Sequence, residues 1–212
     1  MKSYESIDYF GNHWGIEGIA FDKLDGSNIR IEYNKKNGFI KFGTRNNMFT
    51  LSDKDNPFAV AGQMFLNKYE FGLKEIFKTK DYREHQTLTC FAELVGNKSA
   101  FGQHDFSDST LDIILFDIFV YKKNFVSPKQ FVKDFQHLGI PKIVYEGNLN
   151  KELVEDVKGN AFDLTEGVIF KSKQSINKRG DFYYCKIKTD DWFEKLRSVD
   201  EKAYLNEIKT IK

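Results

Sequence analysis

The sequence predicts a mixed α+β fold with largely antiparallel sheets. Three observations carry that expectation. Short segments with period-two apolar alternation recur along the chain, and longer segments with apolar residues at three- and four-residue steps lie between them. The two kinds follow one another without the regular alternation of a doubly wound parallel sheet.

Taken in order, residues 16–23 and 28–34 read as strands around the turn Asp25-Gly26-Ser27. This is the pattern of a hairpin whose root carries Lys23 between Asp22 and Asp25. "GFIKFGTRN" (38–46) reads as a third strand. Residues 57–79 read as a helix behind Pro57, with Phe58, Ala61, Phe65, Tyr69 and Leu73 along one stripe. Strands follow at 87–96 and 111–121. Ser127 caps a second helix that opens on Pro128 and stops at Gly139-Ile140-Pro141. A short strand at 142–145 and a helix at 151–157 precede the strands 165–172 and 181–189. The reading is one compact domain over 1–189, with a short, charged, helical tail over 190–212.

The bulk numbers set limits on function. The chain has 212 residues, 41% hydrophobic, including 21 Phe, which is enough for a real core. No apolar run approaches the roughly 20 residues that span a bilayer. The N-terminal stretch "MKSYESIDYFGNHW" lacks the apolar core of a signal peptide. The expectation is a soluble, intracellular, cytoplasmic protein. Cys90 and Cys185 lie in strand-like runs without histidine partners, so they read as reduced core cysteines rather than a zinc site. His13, His85, His104 and His137 are scattered and show no ligand spacing.

Net charge is +1, but its distribution is uneven. Lys171, Lys173, Lys178, Arg179, Lys186 and Lys188 face a single acid, Asp181, giving +5 over that segment, whereas His104 to Asp117 holds four Asp and no Lys or Arg. Such a basic segment can meet phosphate or can be a solvated face.

No Gly-rich phosphate loop is present, so any nucleotide would have to be gripped by side chains. Four strand or turn segments carry suitable ones: "KLDGSN" (23–28), "FAELVG" (91–96), "TEGVIFK" (165–171) and "KIK" (186–188). Singly, each reads as an ordinary turn, strand edge or core position. Together they resemble, in order, the motifs of the covalent nucleotidyltransferases: the ATP-dependent DNA and RNA ligases and the mRNA capping enzymes. Lys23-Leu24-Asp25-Gly26 resembles motif I (Lys-x-Asp/His-Gly), Glu93 motif III and "LFDIF" (115–119) motif IIIa. "EGVIFK" (166–171) resembles motif IV, and Lys186-Ile187-Lys188 motif V. Asn28 stands where DNA ligases and capping enzymes usually carry arginine, as in the nick-sealing, RNA ligase 2-like branch, and Arg45 falls where that branch places a downstream arginine.

The resemblance implies an ATP-grasp-like nucleotidyltransferase domain and an RNA ligase working through a lysyl-AMP intermediate. Lys23 would be the nucleophile, with Lys186 and Lys188 as catalytic cations at the phosphates. Asp22, Asn28, Arg45, Glu93, Phe116 and Glu166 would contact the nucleotide, Phe116 stacking on adenine with Phe119 as the fallback. Asp25, Glu93 and Glu166 would hold Mg²⁺ or Mn²⁺ through water, and Glu93 is also a candidate for the ribose. A free lysine is only about 0.04% amine at pH 7, so neighbouring cations that disfavour its ammonium would help it react. The carboxylates pull the other way, which is why they are assigned to metal.

The partner implied is RNA with 5′-phosphate and 3′-hydroxyl ends, nicked or single-stranded. Too few residues follow Lys188 for an OB-fold. Lys171, Lys173, Lys178 and Arg179, or a partner protein, could then serve end recognition. A DNA ligase, a capping guanylyltransferase and a non-catalytic nucleic-acid-binding subunit remain as alternatives.

Overall fold

The computed structural model describes residues 1–11, 13–53, 56–96 and 110–211. The elements in chain order are β1 (Glu17–Asp22), β2 (Gly26–Asn34), β3 (Gly38–Thr44), β4 (Met48–Phe49), α1 (Pro57–Phe77), β5 (Thr87–Val95) and β6 (Asp112–Val120). Then come α2 (Pro128–Phe135), a 3₁₀ turn (Gln136–Leu138), β7 (Ile143–Asn148), α3 (Lys151–Lys158), β8 (Gly167–Ser175), β9 (Phe182–Lys188), α4 (Asp190–Val199) and α5 (Glu201–Ile208). The expected α+β architecture is present. Two sheets form, β4-β3-β2-β5-β6 and β7-β1-β8-β9, and every pairing between their strands is antiparallel. His104 and the first half of the acidic stretch lie outside the described residues.

The chain divides into two compact units. The first holds residues 1–4, 26–126 and 130–140, and with them the five-stranded sheet. Its core lies on one face, where Ile29, Ile31, Leu88, Cys90, Ala92, Leu94, Ile113 and Leu115 meet Phe65, Tyr69 and Leu73 of α1. The three- and four-residue spacing read from the sequence is thus the buried stripe of a real helix. Asn56 caps it by accepting from the Phe58 N–H at 3.0 Å.

The second unit holds residues 5–25, 127–129 and 141–212, with the four-stranded sheet. Ala20, Val168, Phe170, Cys185 and Ile187 bury one face against Leu153, Val154 and Val157 of α3. Cys90 and Cys185 are both buried and free of disulfides.

One expectation fails. β1 and β2 do not form a hairpin. β1 pairs with β7 and β8, whereas β2 pairs with β3 and β5. Both edges of each strand are thus taken by other partners, and Gly26 serves a close approach rather than a hairpin turn: a Cβ there would stand 2.1 Å from the Leu94 carbonyl oxygen. Only glycine lets β2 lie this near β5 at the point where motif I ends. Gly26→Ala is therefore expected to lower stability by about 1–3 kcal/mol through overpacking, read as an earlier urea midpoint. An unchanged midpoint would show that β5 yields freely.

Candidate active site

In the second unit the face of the sheet opposite its core carries the motif lysines. Antiparallel register sets Lys186 beside Ile169, Ile187 beside Val168 and Lys188 beside Gly167. Lys23 follows the end of β1, and its N–H donates to the Gly167 carbonyl at 2.9 Å. Gly167 has φ +150°, and a Cβ there would meet the Ile187 carbonyl oxygen at 2.1 Å. A side chain at this position is thus excluded by both backbone and neighbour. The vacancy above Gly167 lets its flanks converge: Glu166 Oε2 accepts from Lys23 Nζ at 2.6 Å, and Glu166 Oε1 pairs with Lys188 Nζ at 2.9 Å.

The network runs on. Lys188 Nζ also reaches Glu207 Oε1 of α5 at 3.1 Å, and Lys186 Nζ reaches the same oxygen at 3.0 Å. The Tyr9 hydroxyl donates to it at 2.7 Å. Trp192 of α4 lies under Lys188, with Nζ 3.3 Å from its ring centroid, and Tyr9 lies under Lys186 at 4.4 Å. Three ammoniums thus share two carboxylates in a largely buried setting.

That excess of cations explains the titration of the group. Burial pushes the Glu166 carboxyl up, but Lys23 and Lys188 outweigh it and hold it below the usual carboxylate range. Burial also opposes ionised Glu207, yet Lys188, Tyr9 and Lys186 bring it down to about 2. Lys188 goes the other way from an ordinary salt-bridged lysine. Burial lowers it and Lys23 adds repulsion, and together they exceed the attraction of Glu166 and Glu207. Both directions fit one picture: with cations in the majority, the most buried ammonium is the least comfortable charge. Asp22 is raised by burial and by Glu166, against Lys142 and Lys23. Its Oδ1 is buried and makes no hydrogen bond among the described residues.

The first unit places its own set. On the sheet face opposite the core, Asn28 of β2 is the cross-strand partner of Glu93 on β5, and Arg30 that of Phe91. Asn28 Oδ1 is buried without a hydrogen-bond partner among the described residues. Phe116 falls at an irregularity between β5 and β6, where the register shifts between Phe91 and Ala92. Its ring lies edge-on to Tyr4 at 5.0 Å and 6.4 Å from Phe91. Phe119 is edge-on to Phe125 at 5.3 Å. Arg45 is exposed in the turn between β3 and β4 and makes no ion pair among the described residues.

Glu166, expected at the nucleotide and at metal through water, has both oxygens on lysine ammoniums. One sequence expectation needs correction. The basic segment is not one open phosphate face, because long-range strand pairing has already brought carboxylates to it. Lys173 pairs with Glu17 at 2.6 Å and Glu146 at 2.8 Å. Lys171 is buried between Phe21 and Tyr184, 5.3 and 5.1 Å from their ring centroids. Only Lys178 and Arg179 of the proposed four are exposed, in the turn between β8 and β9. Sequence reasoning also missed Tyr9, Trp192 and Glu207. Trp192, four residues past Lys188 at a helix start, was the one available signal. Among the described residues no group of three or more His, Cys, Asp or Glu side chains is placed to hold a metal ion directly, and no helix could cross a membrane.

Lys23, Glu166 and Lys188 stand together on an antiparallel α+β frame, in the order expected of a nucleotidyltransferase-type domain. The family model for RNA ligase matches residues 17–188, from the start of β1 to the end of β9. The chain belongs to the RNA ligase family. Solved structures of RNA ligase from Naegleria gruberi share its fold. A mutant in the apo form is 17% identical with a TM-score of 0.66, covering 92% of this chain and 58% of that one. A mutant with ATP and Mn is 17% identical with a TM-score of 0.63 and the same coverages, 92% and 58%. A mutant with AMP and Mn is 18% identical with a TM-score of 0.59, covering 86% and 52%. The chain thus spans little more than half the length of those ligases. No curated protein matches it.

Proposed function

We propose that this chain is an ATP-dependent RNA ligase domain that forms a covalent AMP adduct on Lys23 and seals a 5′-phosphate to a 3′-hydroxyl. The observation that carries the reading is the juxtaposition of Lys23 with Glu166 and Lys188, which brings motifs I, IV and V onto one sheet face. The nucleotidyltransferase part is taken as residues 1–189, with 190–212 as its helical tail, and the setting as cytoplasmic.

In the first step Lys23 Nζ bonds to the α-phosphorus of ATP and the bond to the β-phosphate oxygen breaks. Pyrophosphate leaves, and the two protons that take Lys23 from ammonium to phosphoramidate N–H pass to water. An ammonium has no lone pair, so Lys23 must lose the first of them before it attacks, and in turning to the phosphate it parts from Glu166. Glu166 and Lys188 remain side by side when it does, so the carboxylate is not stranded. Lys186 and Lys188 would then oppose the charge building on the phosphate. Asn28, Arg45, Asp22, Glu93 and Phe116 keep the nucleotide-contacting roles the family resemblance gives them.

A divalent metal, Mg²⁺ or Mn²⁺, suits this chemistry. Asp25 is a hard oxygen donor, and the unsatisfied Asp22 Oδ1 adds an acceptor for metal-bound water, while Glu93 keeps the metal role the family resemblance gives it. When bound, the metal would neutralise phosphate charge. Glu166 is the poorer candidate, its oxygens being occupied.

Incubation with ATP and Mg²⁺, followed by peptide mass spectrometry, is expected to find AMP on Lys23. An adduct on another residue, none at all, or one formed from GTP instead would overturn the proposal. RNA then competes with DNA as the sealed strand in a direct assay, and sealing of DNA nicks alone would favour the DNA ligase reading.

A further inference from the structure

Three donors converge on one oxygen that the proposed chemistry does not use. Glu207 Oε1 receives Lys186 Nζ at 3.0 Å, Lys188 Nζ at 3.1 Å and the Tyr9 hydroxyl at 2.7 Å. Two ammoniums and a hydroxyl closing on a single anionic oxygen is the environment a phosphate oxygen takes. The helix that brings this carboxylate is thinly attached. No residue of α5 is buried, and Leu205 and Ile208 are 50% and 39% exposed. Its remaining ties are rim contacts, chiefly Tyr204 edge-on to Phe193 at 6.4 Å and under Arg197 at 5.8 Å.

We propose that Glu207 sets the nucleotide affinity of this chain by standing in the place of a phosphate oxygen, so that α5 lets go when Lys186 and Lys188 take up nucleotide phosphate. The inference rests on the assignment of those two lysines to phosphate. Keeping both anions on the same ammoniums would set like charges side by side at contact distance. Exchanging one for the other keeps every donor satisfied. A polyphosphate brings more charge than one carboxylate, and α5 gives up little apolar contact in leaving, so the exchange favours the nucleotide. The opposite role, a carboxylate that braces the lysines for phosphate, predicts the opposite sign.

The test uses the full chain and three probes: ATP, inorganic tripolyphosphate and adenosine, each titrated calorimetrically without metal. Glu207→Gln is expected to tighten ATP and tripolyphosphate roughly five- to tenfold, the factor of one partly screened charge interaction, and to leave adenosine unchanged. In the wild-type chain, tripolyphosphate should speed hydrogen exchange across Glu201–Ile208. This arm decides the matter even if Glu207→Gln folds poorly. Unchanged or weaker phosphate binding in Glu207→Gln, or α5 amides that stay protected, overturns the latch while leaving a Lys23 adduct intact. A wild-type chain that binds no phosphate and forms no adduct overturns the ligase reading along with it.

Discussion

Lys23→Ala and Lys23→Arg are both expected to abolish AMP transfer to the protein, a fall of at least about a thousandfold. The two variants separate chemistry from structure. Lys23 pairs with Glu166 at 2.6 Å and is 22% exposed, whereas Glu166 is only 4% exposed. Arginine keeps a cation against that carboxylate, but its guanidinium does not give up a proton near neutral pH and so supplies no lone pair. It should therefore fold like the wild type and fail as a nucleophile. Alanine leaves Glu166 with Lys188 alone, and about 1–2 kcal/mol of stability should go with it. A labelled adduct surviving in the arginine variant would move the nucleophile elsewhere.

Removing Glu166 is the larger structural insult. Glu166→Ala is expected to cost about 3 kcal/mol at pH 7, the lower end for breaking a buried pair, because Glu207 still faces Lys188. Adding Lys188→Met to Glu166→Ala should recover part of that loss, since the buried ammonium that has lost its Glu166 partner then goes too. The measurement is a double-mutant cycle of urea midpoints. A single-variant loss below about 1 kcal/mol would show that solvent reaches the pair. The pH dependence has a definite sign. Both carboxylates are held below their ordinary range, so their contribution is complete above the unfolded value of about 4.3. It is lost as pH falls, through about 2 in the case of Glu207. The wild type should thus lose more stability between pH 5 and 2 than the Glu166→Ala variant does.

The elements were legible where their cues are local. The stripe of α1 and the alternation of β2 and β9 depend on neighbours a few residues away. The two-residue β4 left no such cue, and the supposed hairpin failed because a Gly-Ser turn looks the same whether its flanks pair or part. Lys23, Glu166, Lys186 and Lys188 stand together as their motif order suggests. Their partners were not legible, because they come from far along the chain. Lys173 meets Glu17 and Glu146, and Lys186 and Lys188 meet Glu207. A charge count over adjacent residues has no access to such pairings, so a +5 segment looked open when most of it was spoken for.

The strand geometry of Lys186-Ile187-Lys188 has a consequence for how this domain can change over time. Ile187 lies in the core at 1% exposure, while the lysines on either side share the opposite face. The gap of one in the motif is the pleat itself, serving as a ruler. A single inserted or deleted residue within β9 would put an isoleucine where two carboxylates wait and drive ammoniums into hydrocarbon. Length variation should therefore collect in the exposed turn beyond Ser175, and drift within the strand should leave its parity untouched.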